Sequence, residues 1–284
     1  MVAWDGPKRV SASVPRDLGD VIDYFLPDRR AHGAAGLPPG PREACPDPRP
    51  RPERPAALPI VALPIGGRDV VRAAFAWNLT VELARCGASA SLLAPEEPEP
   101  SLLWPDGGPG PLGSELLFAP CRGIADLARA ALDLAVERAA DAPDGGVVLA
   151  RVPPEWLRAP RDGRALLRWV LLFATPEGAE LHEAYALAKH LLGASPEARV
   201  GVTVHGVRRV AEAEATFARV AGVAARHLGA RLWSYGFLVD DLHVYRAIAA
   251  RRPVGLEHPQ SRAARALRDV ARLILEDARS GALA

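Results

Sequence analysis

Residues 58–95, LPIVALPIGGRDVVRAAFAWNLTVELARCGASASLLAP, decide how this chain is read. An apolar run at 60–63 meets the pair Gly66–Gly67, a helical pattern follows over 70–85, and a second apolar run lies at 90–93. Strand, glycine turn, helix and second strand form the opening unit of a doubly wound sheet. Where such a turn cradles phosphate, it offers backbone N–H groups at a helix N-terminus, a lysine for the outer phosphates and a Ser/Thr hydroxyl for magnesium. Here Gly66, Gly67, Arg68 and Asp69 are followed only by Val70, Val71, Arg72 and Ala73, and the chain's only lysines are Lys8 and Lys189. The outline of the unit is kept while its phosphate-holding residues are missing.

The same alternation continues downstream. Apolar runs at 116–118, 147–149, 169–174, 200–205 and 230–236 read as strands. Helical periodicity falls at 124–140, 177–192, 207–227, 242–250 and 262–280. Strands alternating with helices predict an α/β domain over 58–284: a doubly wound, mostly parallel sheet with helices on both faces. Residues 95–114 are rich in Pro and Gly and read as a surface loop at the C-terminal edge of the sheet, the edge where such folds bind ligands. Residues 1–57 read as an arm of different character. Leu18, Val21, Ile22, Phe25 and Leu26 recur at helical spacing, so a short amphipathic helix is expected over about 17–26. Asp17 and Asp20 suit its N-terminus, Pro27 ends it, and the Pro-dense stretch that follows reads as an extended linker. A helix this short forms only against a surface, either its own domain or another protein, which makes those five apolar residues candidate partner contacts.

Composition excludes several classes. With 284 residues, 49% of them hydrophobic, the chain can bury one substantial core. A formal charge of +1 gives no bulk basic field, and the arginines of 207–227 are interleaved with Glu as on a solvated face, so nucleic acid is not an expected partner. No apolar run approaches the length that spans a bilayer, and no basic amphipathic segment follows Asp277, so no membrane attachment is expected. Cys45, Cys86 and Cys121 are isolated, which argues against a disulfide framework or a zinc site and for a reducing cytoplasm. The histidines lack metal-ligand spacing and no Gly-x-Ser-x-Gly elbow occurs, so neither a metal site nor a catalytic nucleophile is read.

Three longer stretches carry a family likeness. NLTVELARCGASASLLAPE (78–96) resembles the helix and strand after the phosphate loop of MinD/ParA-type ATPases. LLFATPEGAELHEAYALAKHLL (171–192) resembles their strand ending in Thr-Pro-Glu and the helix after it. The tail at 228–275, with Arg251-x-Pro253 and Pro259-x-Ser261, is most similar to the flagellar-placement branch, FlhG. The likeness runs over 58–277 in order and spacing. Carried over position by position, it implies a dismantled site. Counting back from Asn78, Arg72 stands at the phosphate-binding lysine and Ala73 at the magnesium-binding Thr. Matching Gly66 and Gly67 to the family's glycine pair instead puts Val70 at the lysine. Ala94 replaces the first carboxylate of an Asp-x-Asp element, Glu96 matches the second, Ala150 replaces the next metal-linked acid, and His205 an adenine-reading Asn. Asp240 is kept. The remnant of a nucleotide site is therefore Gly66, Gly67, Arg68, Arg72, Glu96 and Asp240. The resemblance then implies a non-catalytic pseudo-ATPase, without ATP or magnesium as cofactor, acting as a regulatory or scaffolding module for protein partners. A homodimer, or a heterodimer with an active family member, is compatible with it. The alternative is a divergent switch ATPase that dimerises on nucleotide, controls the placement of a cellular structure, and uses Arg68, Arg72 and Glu96 in place of the usual set.

Overall fold

The computed structural model describes residues 16–25, 56–97, 101–158 and 163–283. Its strands are β1 (Ile60–Pro64), β2 (Ser89–Pro95), β3 (Gly108–Pro109), β4 (Glu115–Ala119), β5 (Gly146–Val152), β6 (Trp169–Ala174), β7 (Arg199–Val207) and β8 (Trp233–Val239). The helices are α1 (Leu18–Phe25), α2 (Val70–Arg85), α3 (Ile124–Ala140), α4 (Gly178–Ala194), α5 (Val210–Leu228), α6 (Leu242–Ala249), α7 (Val254–Glu257) and α8 (Arg262–Arg279). One sheet runs β3-β4-β2-β5-β1-β6-β7-β8. All neighbours pair parallel except β3 on β4, so the doubly wound expectation holds. β5 and β6 are buried at every position, which is why β6 reads as an unbroken apolar run and β5 as one broken only by Arg151.

Strand order decides where the helices go. From β1 the chain moves through α2 to β2 on one side, whereas α3, α4 and α5 each lead to a strand on the other side. Right-handed crossovers therefore place α2 on one face and α3, α4 and α5 on the opposite one. α8 joins α2, presenting Leu267, Val270, Ala271 and Ile274 to the core. α2 is buried nearly all round, sandwiched between the sheet and α8, and Asn78 ties it down by accepting a hydrogen bond from Val254 N at 2.7 Å.

Residues 95–114 are not simply a loop. Gly108–Pro109 adds a two-residue antiparallel edge strand to β4, and Trp104 is buried beneath the same segment. Two residues without apolar alternation leave no strand signal in the sequence.

The N-terminal helix docks on its own domain. Asp17 and Asp20 close a reciprocal capping box, each backbone N–H donating to the other's carboxylate at 2.9 and 3.0 Å. Leu18 and Val21 are buried against β8, α5 and α8, a gain of about 1.5–3 kcal/mol per side chain. Ile22 is half-buried. Arg16 fixes the entry: its guanidinium pairs with Asp277 in α8, which also accepts from Tyr235 Oη at 2.5 Å, and its carbonyl accepts from Ser234 N at 2.9 Å. Of the expected contact stripe, the Phe25 side chain and Leu26 lie outside the described residues. Among the described residues, no helix is long and apolar enough to cross a membrane.

Candidate functional site

β1 ends in the centre of the sheet, and Ile65 extends its ladder by donating to Val152 O at 3.0 Å. The chain then turns through Gly66, Gly67, Arg68 and Asp69 into α2. This is where a helix N-terminus would receive an anion, but the turn uses its own groups. Asp69 N donates to Gly66 O at 3.1 Å, Val70 N to Arg68 O at 3.1 Å, and the Asp69 carboxylate accepts from Arg72 N at 2.9 Å. A carboxylate thus caps the helix and takes up its positive end.

A second carboxylate stands against the turn at Gly67. Glu97 lies against Gly67 so closely that a Cβ there would collide with its carboxyl group, and Arg151 holds it through Nη2. Because Gly67 has no side chain, the Glu97 carboxyl group can come this close. Gly66 borders open space, where an added Cβ would touch nothing within 4 Å.

Arg72, in the first turn of α2, is committed elsewhere. Its guanidinium reaches Glu180 at 2.8 Å, Glu183 at 3.3 Å and Asp69 at 3.3 Å, and its side chain is 9% exposed. Three carboxylates on one planar fork leave it little attraction for a further anion. Arg68 points to solvent.

Beyond Arg72 a cleft of about 600 Å³ opens above the ends of β6, β7 and β8. Asp69, Glu177, Glu180, Glu212 and Asp240 line it against Arg72 and Arg208: five carboxylates to two guanidiniums, an excess of three negative charges. Asp240 is exposed at its rim and accepts a long hydrogen bond from Tyr245 Oη at 3.4 Å. His205 forms part of the wall, packed edge-on to Phe75 and Phe173, with Nε2 lacking a hydrogen-bond partner. Burial, then the nearby Arg72 charge, lowers its pKa to about 3, so its ring is neutral.

The other positions singled out from sequence fall as follows. Ala73, Ala94 and Ala150 are buried and offer no ligand atom. Among the described residues no group of three or more His, Cys, Asp or Glu side chains could hold a metal. Gly67 and Arg72 are brought to one turn, whereas Glu96 is exposed and its neighbour Glu97 faces the turn instead. Glu96 N still bonds Ala119 O at 2.9 Å, extending the ladder one residue past β2, so the chain's next side chain is the one that swings toward Gly67. Glu97 and Arg151 were not singled out. Their signal was a lone arginine inside the apolar run VVLARV, a charge that a buried strand keeps only with a partner.

No protein-family model matches the sequence, and no curated protein does. Solved structures are similar in fold. The MinC:MinD cell division protein complex of Aquifex aeolicus aligns at TM-score 0.54 and 14% identity, over 77% of this chain and 96% of that one. A ParA family ATPase from Chlorobium tepidum aligns at 0.54 and 14%, over 77% and 99%. The septum site-determining protein MinD of Pyrococcus horikoshii, solved with Mg-ADP, aligns at 0.53 and 14%, over 76% and 96%.

Proposed function

We propose that this chain, whose fold is that of the MinD/ParA-type P-loop ATPases, does not hydrolyse nucleotide and serves as a regulatory or scaffolding module that binds protein partners. The observation that carries the reading is the filled turn. Glu97, held by Arg151, stands over Gly67; Asp69 caps α2; and Arg72 is shared among three carboxylates. Phosphoryl transfer depends on a metal and fixed cations that offset developing negative charge. Here the side chains around the turn add negative charge, and Ala73, Ala94 and Ala150 replace the handles on magnesium that the resemblance implies. The sheet and its helices keep their packing, which leaves the outer surface available for partners. The Aquifex MinD, of the same fold, was solved with MinC.

Equilibrium titration with ATP or ADP and magnesium, together with phosphate-release kinetics, tests this. The expected result is no saturable binding at physiological nucleotide concentration and no turnover. Micromolar affinity with turnover abolished by Gly67→Val overturns it.

One observation favours a second reading, a divergent nucleotide switch: the space beside Gly66 is open, and a cleft lined by Arg72 and Asp240 lies on the same edge of the sheet. That reading requires dimerisation that depends on ATP, which sedimentation with and without nucleotide measures directly.

A further inference from the structure

β8 is the last strand of the sheet and has a strand, β7, on one side only. An edge strand offers a row of backbone donors and acceptors to any chain that can pair with it, and proteins shield such edges. The opposite edge is shielded by its own sequence, because β3 has two residues and one of them is Pro109. β8 lacks that protection. Its seven residues, WSYGFLV, carry no charge and no proline and are rich in aromatic and apolar side chains, a composition that pairs readily strand to strand. Every one of them is nonetheless buried.

The N-terminal segment supplies the cover. α1 packs on β8, α5 and α8. Since α5 and α8 belong to opposite faces of the sheet, a helix that touches both of them and β8 lies across the open edge. Arg16, at its entry, occupies the edge itself: its carbonyl accepts from Ser234 N at 2.9 Å, an amide turned away from β7. The Arg16 guanidinium pairs with Asp277, which also accepts from Tyr235 Oη at 2.5 Å, so the segment and the strand it covers share one carboxylate. Gly236 N is bonded within the strand, to Ser234 Oγ at 3.2 Å, a local contact that a partner strand can replace.

We propose that residues 16–25 are a displaceable guard over β8, and that the partner they exclude is a second copy of this chain, pairing β8 to β8 in antiparallel fashion. Charge at the strand ends selects that partner. Arg231, shortly before β8, and Asp240, directly after it, are both exposed. Laid antiparallel about the Tyr235–Gly236 bond, two copies bring Arg231 of each opposite Asp240 of the other, whereas a parallel pair in register sets like charge against like. Between those ends the strand is uncharged, so the two copies meet no repulsion along it. The edge lies three strands from β1 and its pairing requires no nucleotide, so the proposal stands or falls apart from the reading of the turn at Gly66 and Gly67.

Sedimentation velocity of the full chain without nucleotide tests it, together with amide exchange at Ser234. Wild type is expected to be monomeric with a protected Ser234 amide. Leu18→Asp/Val21→Asp, which puts charge into the buried face of α1, and the milder Leu18→Ser are each expected to dimerise at concentrations at least about tenfold below wild type while near-ultraviolet circular dichroism reports a folded domain. In either background Arg231→Glu is expected to weaken the dimer by about tenfold, through two symmetric ion pairs turned to repulsion, and added Asp240→Arg to restore it. A synthetic peptide of residues 14–27 is expected to return the variants to monomer. The proposal falls if a folded variant associates no more tightly than wild type, if Arg231→Glu leaves the dimer unchanged, if the reversed pair fails to restore it, or if the Ser234 amide exchanges as fast in the dimer as in the free variant.

Discussion

His205 gives the wall of the acidic cleft a measurable acid sensitivity. Its pKa falls from an ordinary 6.5 to about 3, because burial and then Arg72 oppose protonation. The sign follows by linkage. Below about pH 6.5 the unfolded chain takes up a proton that the folded chain refuses until about pH 3, so this residue's contribution to stability is lost as pH falls through that window. With those two values, acidification from about pH 7.5 to about pH 5.5 costs on the order of 1 kcal/mol, and each further unit down toward pH 3 costs a similar amount. His205→Phe keeps a ring between Phe75 and Phe173 and removes the unpartnered Nε2. Its stability at about pH 7.5 should equal or exceed that of the wild type. The assay is urea denaturation of both proteins across that range, taking the difference at each pH so that other titrating groups cancel. The variant should draw ahead by on the order of 1 kcal/mol on acidification. Parallel curves would refute the buried, neutral histidine.

Asp269 runs the other way: burial, opposed by Arg272 and Arg268, raises its carboxyl to about 6, so its contribution to stability grows as pH falls through that value. Carboxyl-carbon NMR should find its midpoint near 6, and Asp269→Asn should remove that part of the pH dependence. Leu18→Ala should cost about 2–5 kcal/mol by chemical denaturation, because the side chain is part of the core; a change within error would mean that α1 does not dock. Gly67→Ala should destabilise by forcing Glu97 off the turn, and far less in a Glu97→Ala background, giving a double-mutant coupling of about 1 kcal/mol or more; zero coupling would show that Glu97 does not rest there.

Much of the sheet was legible because its central strands are buried on both faces and therefore read as largely apolar runs, as at 169–174. The mismatches have local causes. β8 was expected at 230–236 but runs Trp233–Val239, since Gly236, at φ 81°, bends within the strand beside register shifts against β7 instead of ending it. Val207 belongs to β7 and not to the following helix, which starts only after Arg208 and Arg209. α7 has four residues, too few to show a period. The site was harder to read. Which residues were missing could be seen in the local string, but Glu97 and Arg151 lie 54 positions apart, and only the folded sheet brings them over Gly67. Periodicity also could not decide whether the Leu18 stripe faces its own domain, because that depends on Asp277 at the other end of the chain.

That distance has a consequence for synthesis. Arg16 and Asp277 are 261 positions apart, and Ser234, which bonds the Arg16 carbonyl, is nearly as remote. The N-terminal helix leaves the ribosome well before the strand and helix on which it docks. At about 5–20 residues per second, its apolar stripe waits roughly 13–50 s without β8 and α8 to cover it. For that interval every nascent copy carries an exposed apolar stripe that a chaperone or a neighbouring chain can reach. The last turns of α8 end the wait, so a truncation there would leave the stripe uncovered for the life of the molecule.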